Sequence, residues 1–249
     1  MKHIIRILVV CTAFACSKQK TFPGTASLTL INAVPNSTPS LVTNFSGTDP
    51  INYRNALKLE YGKADKNNQN LSYTGEQRLA IYKYPDTNAH NAPLYDLTLA
   101  LESGTIYTLF LTGTLSAPDT LFTIDTPPYH PAGDSALGIR FVNLMAGSAP
   151  VSVNLAGMAN GSEANNLSYK SITGFTNYPA TAAISKHTFE FRNTTNGALI
   201  SSFDVTGINI ANPGNQRRFR NFTLALIGLP GDPSTHKVML IETYTSLNP

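Results

Sequence analysis

The sequence has no tryptophan, two cysteines and only 13% charged residues across 249 positions. Each shortage excludes something. Cys11 and Cys16 both lie near the start, so the rest of the chain has no disulfide framework. A net charge of +3 on so few charged residues is too little for a nucleic-acid binder working by a basic face. Beyond residue 15 no apolar run approaches the ~20 residues that cross a bilayer. The Ala/Glu/Lys/Leu/Arg richness of a coiled coil is missing. Catalytic signatures are missing too. His3, His90, His130, His187 and His236 form no His-x-His or His-Glu-x-x-His, and there is no Gly-x-Ser-x-Gly elbow, phosphate loop or dinucleotide fingerprint. Carboxylates are sparse and isolated. These absences argue against an enzyme, a cofactor, a metal site or any catalytic residue. A carboxylate pair brought together from distant strands, as in a glycosidase, is the enzymatic alternative that remains.

What is present begins with an address. Met1, Lys2, His3 and Arg6 form a basic start, and Ile7 to Ala15 follow as a short apolar run, the pattern of a signal peptide over residues 1–15. Ala13-Phe14-Ala15 suits ordinary secretory cleavage. Cys16 comes next, and a small residue before Cys after such a run resembles a bacterial lipobox. Cleavage there would leave Cys16 as the only cysteine of the mature chain, unpaired unless it carries lipid. The expected product is an exported protein held in a membrane, taken as the outer membrane, by lipid on Cys16. Residues 16–25 then form a polar tether. Its Lys18 and Lys20 contrast with the acidic signals of surface export and favour a periplasmic face, although the face stays open.

Apolar residues at 42% are enough for a core and exclude wholesale disorder, and the chain compares well with itself. Leu28-Thr29-Leu30-Ile31-Asn32 aligns with Ile139-Arg140-Phe141-Val142-Asn143, each followed by a turn and a proline. The alternating Leu41-x-Thr43-x-Phe45-x-Gly47 matches Val151-x-Val153-x-Leu155-x-Gly157. Asn70-Leu71-Ser72-Tyr73 recurs letter for letter as Asn166-Leu167-Ser168-Tyr169, and Tyr107 to Gly113 matches Phe222 to Gly228. Tandem duplication explains the shared order. It implies one repeat over 26–126, a Pro-rich linker over 127–135 that couples the copies weakly, and a second repeat over 136–249. Copy one is longer between Gly47 and Asn70, copy two in its second half, and such insertions are loops where binding function collects.

Alternation with β-branched and aromatic content predicts further strands near 78–84, 94–101, 106–113, 120–125, 187–193, 199–209, 219–229 and 236–244. The class is therefore all-β: two tandem antiparallel β-sandwiches, immunoglobulin-like, of ~100 residues each. Tyr107, Leu109 and Leu111 share a face, as do Phe222, Leu224 and Leu226. Phe110 and Ile227 make the opposite faces apolar as well, which predicts central core strands.

Arg140-Phe141-Val142-Asn143 with Pro150 to Gly157 resembles the opening of the domain-of-unknown-function (DUF) 4397 family, found in exported and lipid-anchored bacterial proteins. Ser103-Gly104-Thr105-Ile106-Tyr107-Thr108-Leu109 through Gly113 resembles its closing strand. Copy two departs there, with Phe219 in place of Gly104 and Phe222 in place of Tyr107. Cys16-Ser17-Lys18 and the Pro-rich linker are similar to those of Bacteroidota lipoproteins of this type. The resemblance implies a strand scaffold in the cell envelope and brings no activity with it.

The candidate contact residues are few. Tyr53, Tyr61, Tyr129 and Tyr178 fall near turns and could stack on sugar rings. Arg217, Arg218 and Arg220 form the one basic cluster, suited to lipid phosphates or acidic glycans, or merely a solvated start to the next strand. Thr120 after Asp119 and Ser135 after Asp134 resemble the Bacteroidota O-glycan acceptor. The leading expectation is a non-enzymatic, lipid-anchored envelope protein acting as a binding or assembly module. A glycan-binding module of a sugar-uptake system and a structural or adhesion subunit are the rivals. Partners would be the membrane and a glycan or another envelope protein, with no nucleic acid.

Overall fold

Alternation along residues 25–32 puts Ala26, Leu28 and Leu30 on one face and Thr29 and Ile31 on the other, so the segment suits a strand covered on both sides. The computed structural model describes residues 24–45, 56–85, 92–131, 133–209 and 217–243, and that segment is its first strand. Copy one contains β1 (Thr25–Asn32), β2 (Ser40–Asn44), β3 (Lys58–Leu59), β4 (Gln69–Tyr73), β5 (Gly75–Tyr84), β6 (Tyr95–Leu101), β7 (Ile106–Gly113) and β8 (Pro118–Asp125). They form an inner sheet, β4-β1-β7-β8, and an outer sheet, β3-β2-β5-β6. Copy two contains β9 (Ala136–Asn143), β10 (Val151–Leu155), β11 (Ala164–Leu167), β12 (Thr176–Pro179), β13 (Lys186–Asn193), β14 (Leu199–Thr206), β15 (Asn221–Leu229) and β16 (Asp232–Thr243). Its sheets run β12-β9-β15-β16 and β11-β10-β13-β14, the same wiring moved on by eight strands.

The all-β class with tandem sandwiches is as the sequence implied, and β7 and β15 are interior strands. The wiring differs from expectation in two ways. β1 pairs with β7, and β9 with β15, in parallel, so the sandwiches are not purely antiparallel. The first two strands of each copy also lie in different sheets, whereas an immunoglobulin sandwich keeps its A and B strands together. Alternation reports which residues face a core; it is silent on which strand lies alongside.

One landmark of the duplication is also misplaced. Asn70 to Tyr73 belongs to β4 and pairs with β1, whereas Asn166-Leu167 ends β11 and pairs with β10 in the other layer. The counterpart of Leu167 is Leu59. Asn32 Nδ2 donates to the Leu59 carbonyl at 2.9 Å, and Asn143 Nδ2 donates to the Leu167 carbonyl at 3.1 Å. Each asparagine also accepts from a backbone N–H two residues on, Val34 or Met145, at 3.0 Å. Three residues after Leu59 and Leu167, Gly62 N–H donates to Asn32 O and Lys170 N–H to Asn143 O. Both sit in the left-handed region, at φ 66° and 63°, where glycine is at ease and lysine is strained.

Beside a small cluster of Val42, Ala80 and Tyr82 on the copy-one outer sheet, three larger cores hold the described residues. Leu28, Leu41, Leu79, Leu109 and their neighbours fill the first sandwich. Phe141, Phe189, Phe191 and Leu224 lead the second. The third lies between the copies: Ile31, Phe110, Val142, Leu144, Ala225, Ile227, Met239 and Ile241 join the two inner sheets face to face. The order of layers is therefore outer, inner, inner, outer, and the copies are not weakly coupled. Phe110 and Ile227 are apolar on the second face because the other copy covers it.

The connection over 126–135 is docked as well. His130 is buried, with Nε2 3.0 Å from Asn221 Oδ1, and Asn221 Nδ2 donates to Pro128 O at 2.8 Å. This connection joins the end of β8 to the start of β9, and Thr112, near the end of β7, donates to Leu144 O just past β9. β1, β7, β9 and β15 thus start at one common end of the molecule.

Candidate functional site

With Leu59 as the counterpart of Leu167, the stretch from Leu59 to Gln69 matches that from Leu167 to Thr176 in length to within a residue, so the insertion expected before Asn70 is absent from the described residues after β3. After β3 the chain turns at Gly62 and runs over the edge strand of copy two. Tyr61 donates its hydroxyl to Thr235 O at 2.8 Å, Lys237 Nζ donates to Gly62 O at 2.5 Å, and Gln69 Nε2 to Glu242 O at 3.2 Å. Between this crossing and the edge of the second sandwich lies a groove of about 540 Å³. Lys63, Arg217, Arg220 and Lys237 line it against one carboxylate, Glu242, over a floor that includes Phe203 and Leu240.

These cations are placed, not loose. Arg220 pairs with Glu242. Arg217 Nη1 donates to Thr206 O at 2.9 Å, and partial burial pulls its pKa below the usual arginine value, only partly offset by Glu242. Lys63 is shared with Glu60 and Asp65 at 3.1 and 3.5 Å. Lys63, Lys237 and Arg217 each carry more N–H donors than these contacts use, so the groove offers convergent donors with an apolar base.

The related position on the other side of the molecule carries a different cleft, of about 500 Å³, where Ile172 to Phe175 cross Thr123 and Ile124 of β8. Its one cation is Arg140, 4.7 Å from the Phe175 ring centroid. Arg140 is neutralised: Nη2 reaches Asp125 Oδ1 at 2.7 Å, with both side chains buried, and Nε donates to Thr223 Oγ1 at 2.8 Å. Thr108 and Thr123 donate to the same carboxylate. Duplication has left one cleft cationic and the other charge-compensated.

The other carboxylates with charged partners are also engaged in pairs across the surface: Asp96 with Arg78 at 3.0 Å, Asp119 with Lys170 at 2.7 Å, Asp204 with Lys186 at 2.8 Å and Glu190 with Arg192 at 3.0 Å. For Asp119, burial opposes ionisation, but Lys170 and the Thr120 N–H outweigh it and hold the carboxyl below its ordinary value. Among the described residues no three His, Cys, Asp or Glu stand close enough to hold a metal. No helix among them is long and apolar enough to cross a membrane.

The tyrosines chosen from sequence do not assemble a stacking face. Tyr178 is buried in the second core against Phe189 and donates to Glu163, and burial first, then that carboxylate, raises its pKa. Tyr61 is engaged at the junction. Tyr129 alone is open, at 81% exposure. Tyr53 and Cys16 lie outside the described residues. Thr120 is on β8 and half-buried, and Ser135 sits in the docked connection, its carbonyl accepting from Ala180 N–H at 2.6 Å.

Of the basic cluster, Arg217 and Arg220 meet in the groove. Arg218 instead buries Nε and Nη2 without a hydrogen-bond partner among the described residues. The cluster is thus no solvated run. Lys63 and Lys237 escaped the sequence reading: each is a lone lysine, and only the crossing of the copies puts them beside the arginines.

No family model and no curated protein matches the chain. Solved structures with some likeness include a streptococcal virulence factor whose structure concerns alpha-glucan binding, at 8% identity and TM-score 0.26, covering 88% of this chain and 97% of that one. Another is the pneumococcal virulence factor SpuA, multi-modular and glycogen-degrading, at 10% identity and TM-score 0.27, with 88% of this chain and 22% of that one covered. A third is a candidate adhesin from Bacteroides ovatus, at 9% identity and TM-score 0.25, covering 90% and 96%. Scores this low give these likenesses no weight as arguments for a function.

Proposed function

We propose that this chain is a non-enzymatic, lipid-anchored envelope protein whose fused sandwiches act as one rigid binding module for an anionic partner, an acidic glycan or an acidic segment of another envelope protein. The observation that carries the reading is the junction groove, where Lys63 from copy one converges with Arg217, Arg220 and Lys237 from copy two. The engagement of the carboxylates in structural pairs supports a binding role over acid–base chemistry. Export, lipid on Cys16 and membership of the DUF4397 family belong to the same proposal and rest on the sequence patterns.

The test is calorimetric titration with a sulfated polysaccharide and, in parallel, a neutral α-glucan. Binding of the acidic polymer alone is expected, weakening as salt is raised because exposed charges are screened. Arg217→Ala combined with Lys237→Ala should lower that affinity at least tenfold while Lys186→Ala, away from the groove, leaves it unchanged. Equal affinity for the neutral glucan, or no effect of the double variant, would overturn the groove as the site.

A further inference from the structure

We propose that the common strand-start end of the molecule rests on the lipid surface, with Tyr73, Ile124, Tyr129 and Phe219 seated in the interfacial layer. This rests on the lipid-anchored reading and adds an orientation and a contact surface to it.

The exposed large apolar side chains are unevenly placed. Tyr73 is 63% exposed and closes β4 opposite Thr25, the first residue of β1. Ile124, also 63% exposed, lies on β8 opposite Tyr107, near the start of β7. Tyr129 stands in the connection that joins the copies at this end, and Phe219, 37% exposed, lies two residues before β15. Leu71 adds a further exposed apolar side chain on β4. Leu199, in contrast, begins β14 at the far end. β4 and β8 edge the inner sheet, and the pairing of Tyr73 with Thr25 and of Ile124 with Tyr107 points their side chains to opposite faces, so the two flank this end from either side of the sheet. Isolated exposed apolar residues are ordinary; several gathered at one end mark a contact.

The chain itself says what covers them. The polypeptide enters the fold at Gly24, whose carbonyl accepts from Thr74 N–H, beside Tyr73. Fully extended, residues 17–24 reach at most about 28 Å from Cys16, little more than the length of β1. An acylated Cys16 therefore keeps the end that carries Gly24 within about 28 Å of the bilayer. Tyrosine with an apolar neighbour is the pairing that suits the headgroup layer. Exposed acidic side chains surround this end, Glu76 and Glu102 towards the copy-one outer sheet, Asp204 on the copy-two outer sheet and Asp134 in the connection.

The chain has no tryptophan, so each single substitution supplies one clean reporter. The mature protein carrying Tyr129→Trp, Ile124→Trp or Leu199→Trp is reconstituted in phosphatidylcholine vesicles with and without brominated acyl chains, and Cys16 is weighed by mass spectrometry. Emission should fall at least twofold in brominated vesicles for Tyr129→Trp and Ile124→Trp and stay unchanged for Leu199→Trp. All three positions are exposed, so the fold should tolerate the indole. With Cys16 acylated, unquenched Tyr129→Trp and Ile124→Trp would overturn the docking and leave the lipoprotein reading standing, whether the patch then faces solvent, a second copy or another protein. Quenching of Leu199→Trp would overturn the orientation. An unmodified Cys16 would overturn the anchor, and the docking with it.

Discussion

Tyr61 and Tyr169 occupy equivalent positions in the two copies, and each donates its phenol across the junction into the other copy. Tyr61 reaches Thr235 O at 2.8 Å; Tyr169 reaches Thr112 Oγ1 and Asp119 Oδ2, each at 3.3 Å. The surrounding contacts correspond too: Lys237 donates to the backbone of the Gly62 turn, and Lys170, the counterpart of Gly62, donates to Asp119 on β8. The chain has the isologous contact of a two-fold dimer within one polypeptide.

The first expected outcome concerns alkaline stability. Burial, then Asp232, pushes Tyr61 from its ordinary value of 10 up to about 12. A phenol raised in the folded state contributes stability that is complete below its unfolded value and lost as pH climbs through the folded one. The melting temperature should therefore fall between about pH 10 and 12. Tyr61→Phe should reduce that slope and cost about 1 kcal/mol at neutral pH. An unchanged alkaline limb in this variant would mean that other tyrosines govern it.

A second outcome concerns the buried Asp125–Arg140 pair. Asp125→Ala leaves a buried guanidinium without its counter-charge and should cost about 3–5 kcal/mol. Adding Arg140→Met should recover part of the loss, because the unpaired charge is gone. Urea denaturation of both variants decides the matter; a double variant no more stable than the single one would show that packing, not charge, dominates.

Third, the junction should make the two copies unfold together. Calorimetry of the whole chain should give one transition, and Phe110→Ala, which opens a cavity between the inner sheets, should cost about 3–5 kcal/mol. Amide exchange should then speed up at Leu224 in copy two as well as at Leu109 in copy one. Two separate transitions in the unaltered protein would contradict a shared core.

Fourth, Asn32 and Asn143 should be interchangeable in their importance. Replacing either with alanine strands a buried carbonyl and a buried N–H, at about 1–3 kcal/mol for each orphaned group. Similar losses of melting temperature for Asn32→Ala and Asn143→Ala would establish the equivalence. A marked difference would show that the matched hydrogen bonds are matched only in geometry.

Much of the scaffold could be read from residue order. β6, β7 and β13 fall within a residue or so of the strands expected from alternation, and the recurring Asn after the opening strand marks a working hydrogen-bond hub in both copies. The repeated Asn-Leu-Ser-Tyr misled because identity of letters is local, whereas the strand that Asn70 or Asn166 joins depends on partners far along the chain. The candidate site was half legible. Arg217 and Arg220 stood out as a cluster, but Tyr178 near a turn gave no sign that its ring would be enclosed by Phe189 and His187.

By itself, the sequence determined the all-β class, the duplication and the faces of the strands, because period-two alternation and turn chemistry act between neighbours in the chain. Only the tertiary structure decided the parallel pairing of β1 with β7, the fusion of the inner sheets and the meeting of Lys63 with Arg217 and Lys237. Those depend on which apolar surface covers which. Phe110 and Ile227 announce in one dimension that a second face must be buried, but their partner lies more than a hundred residues away.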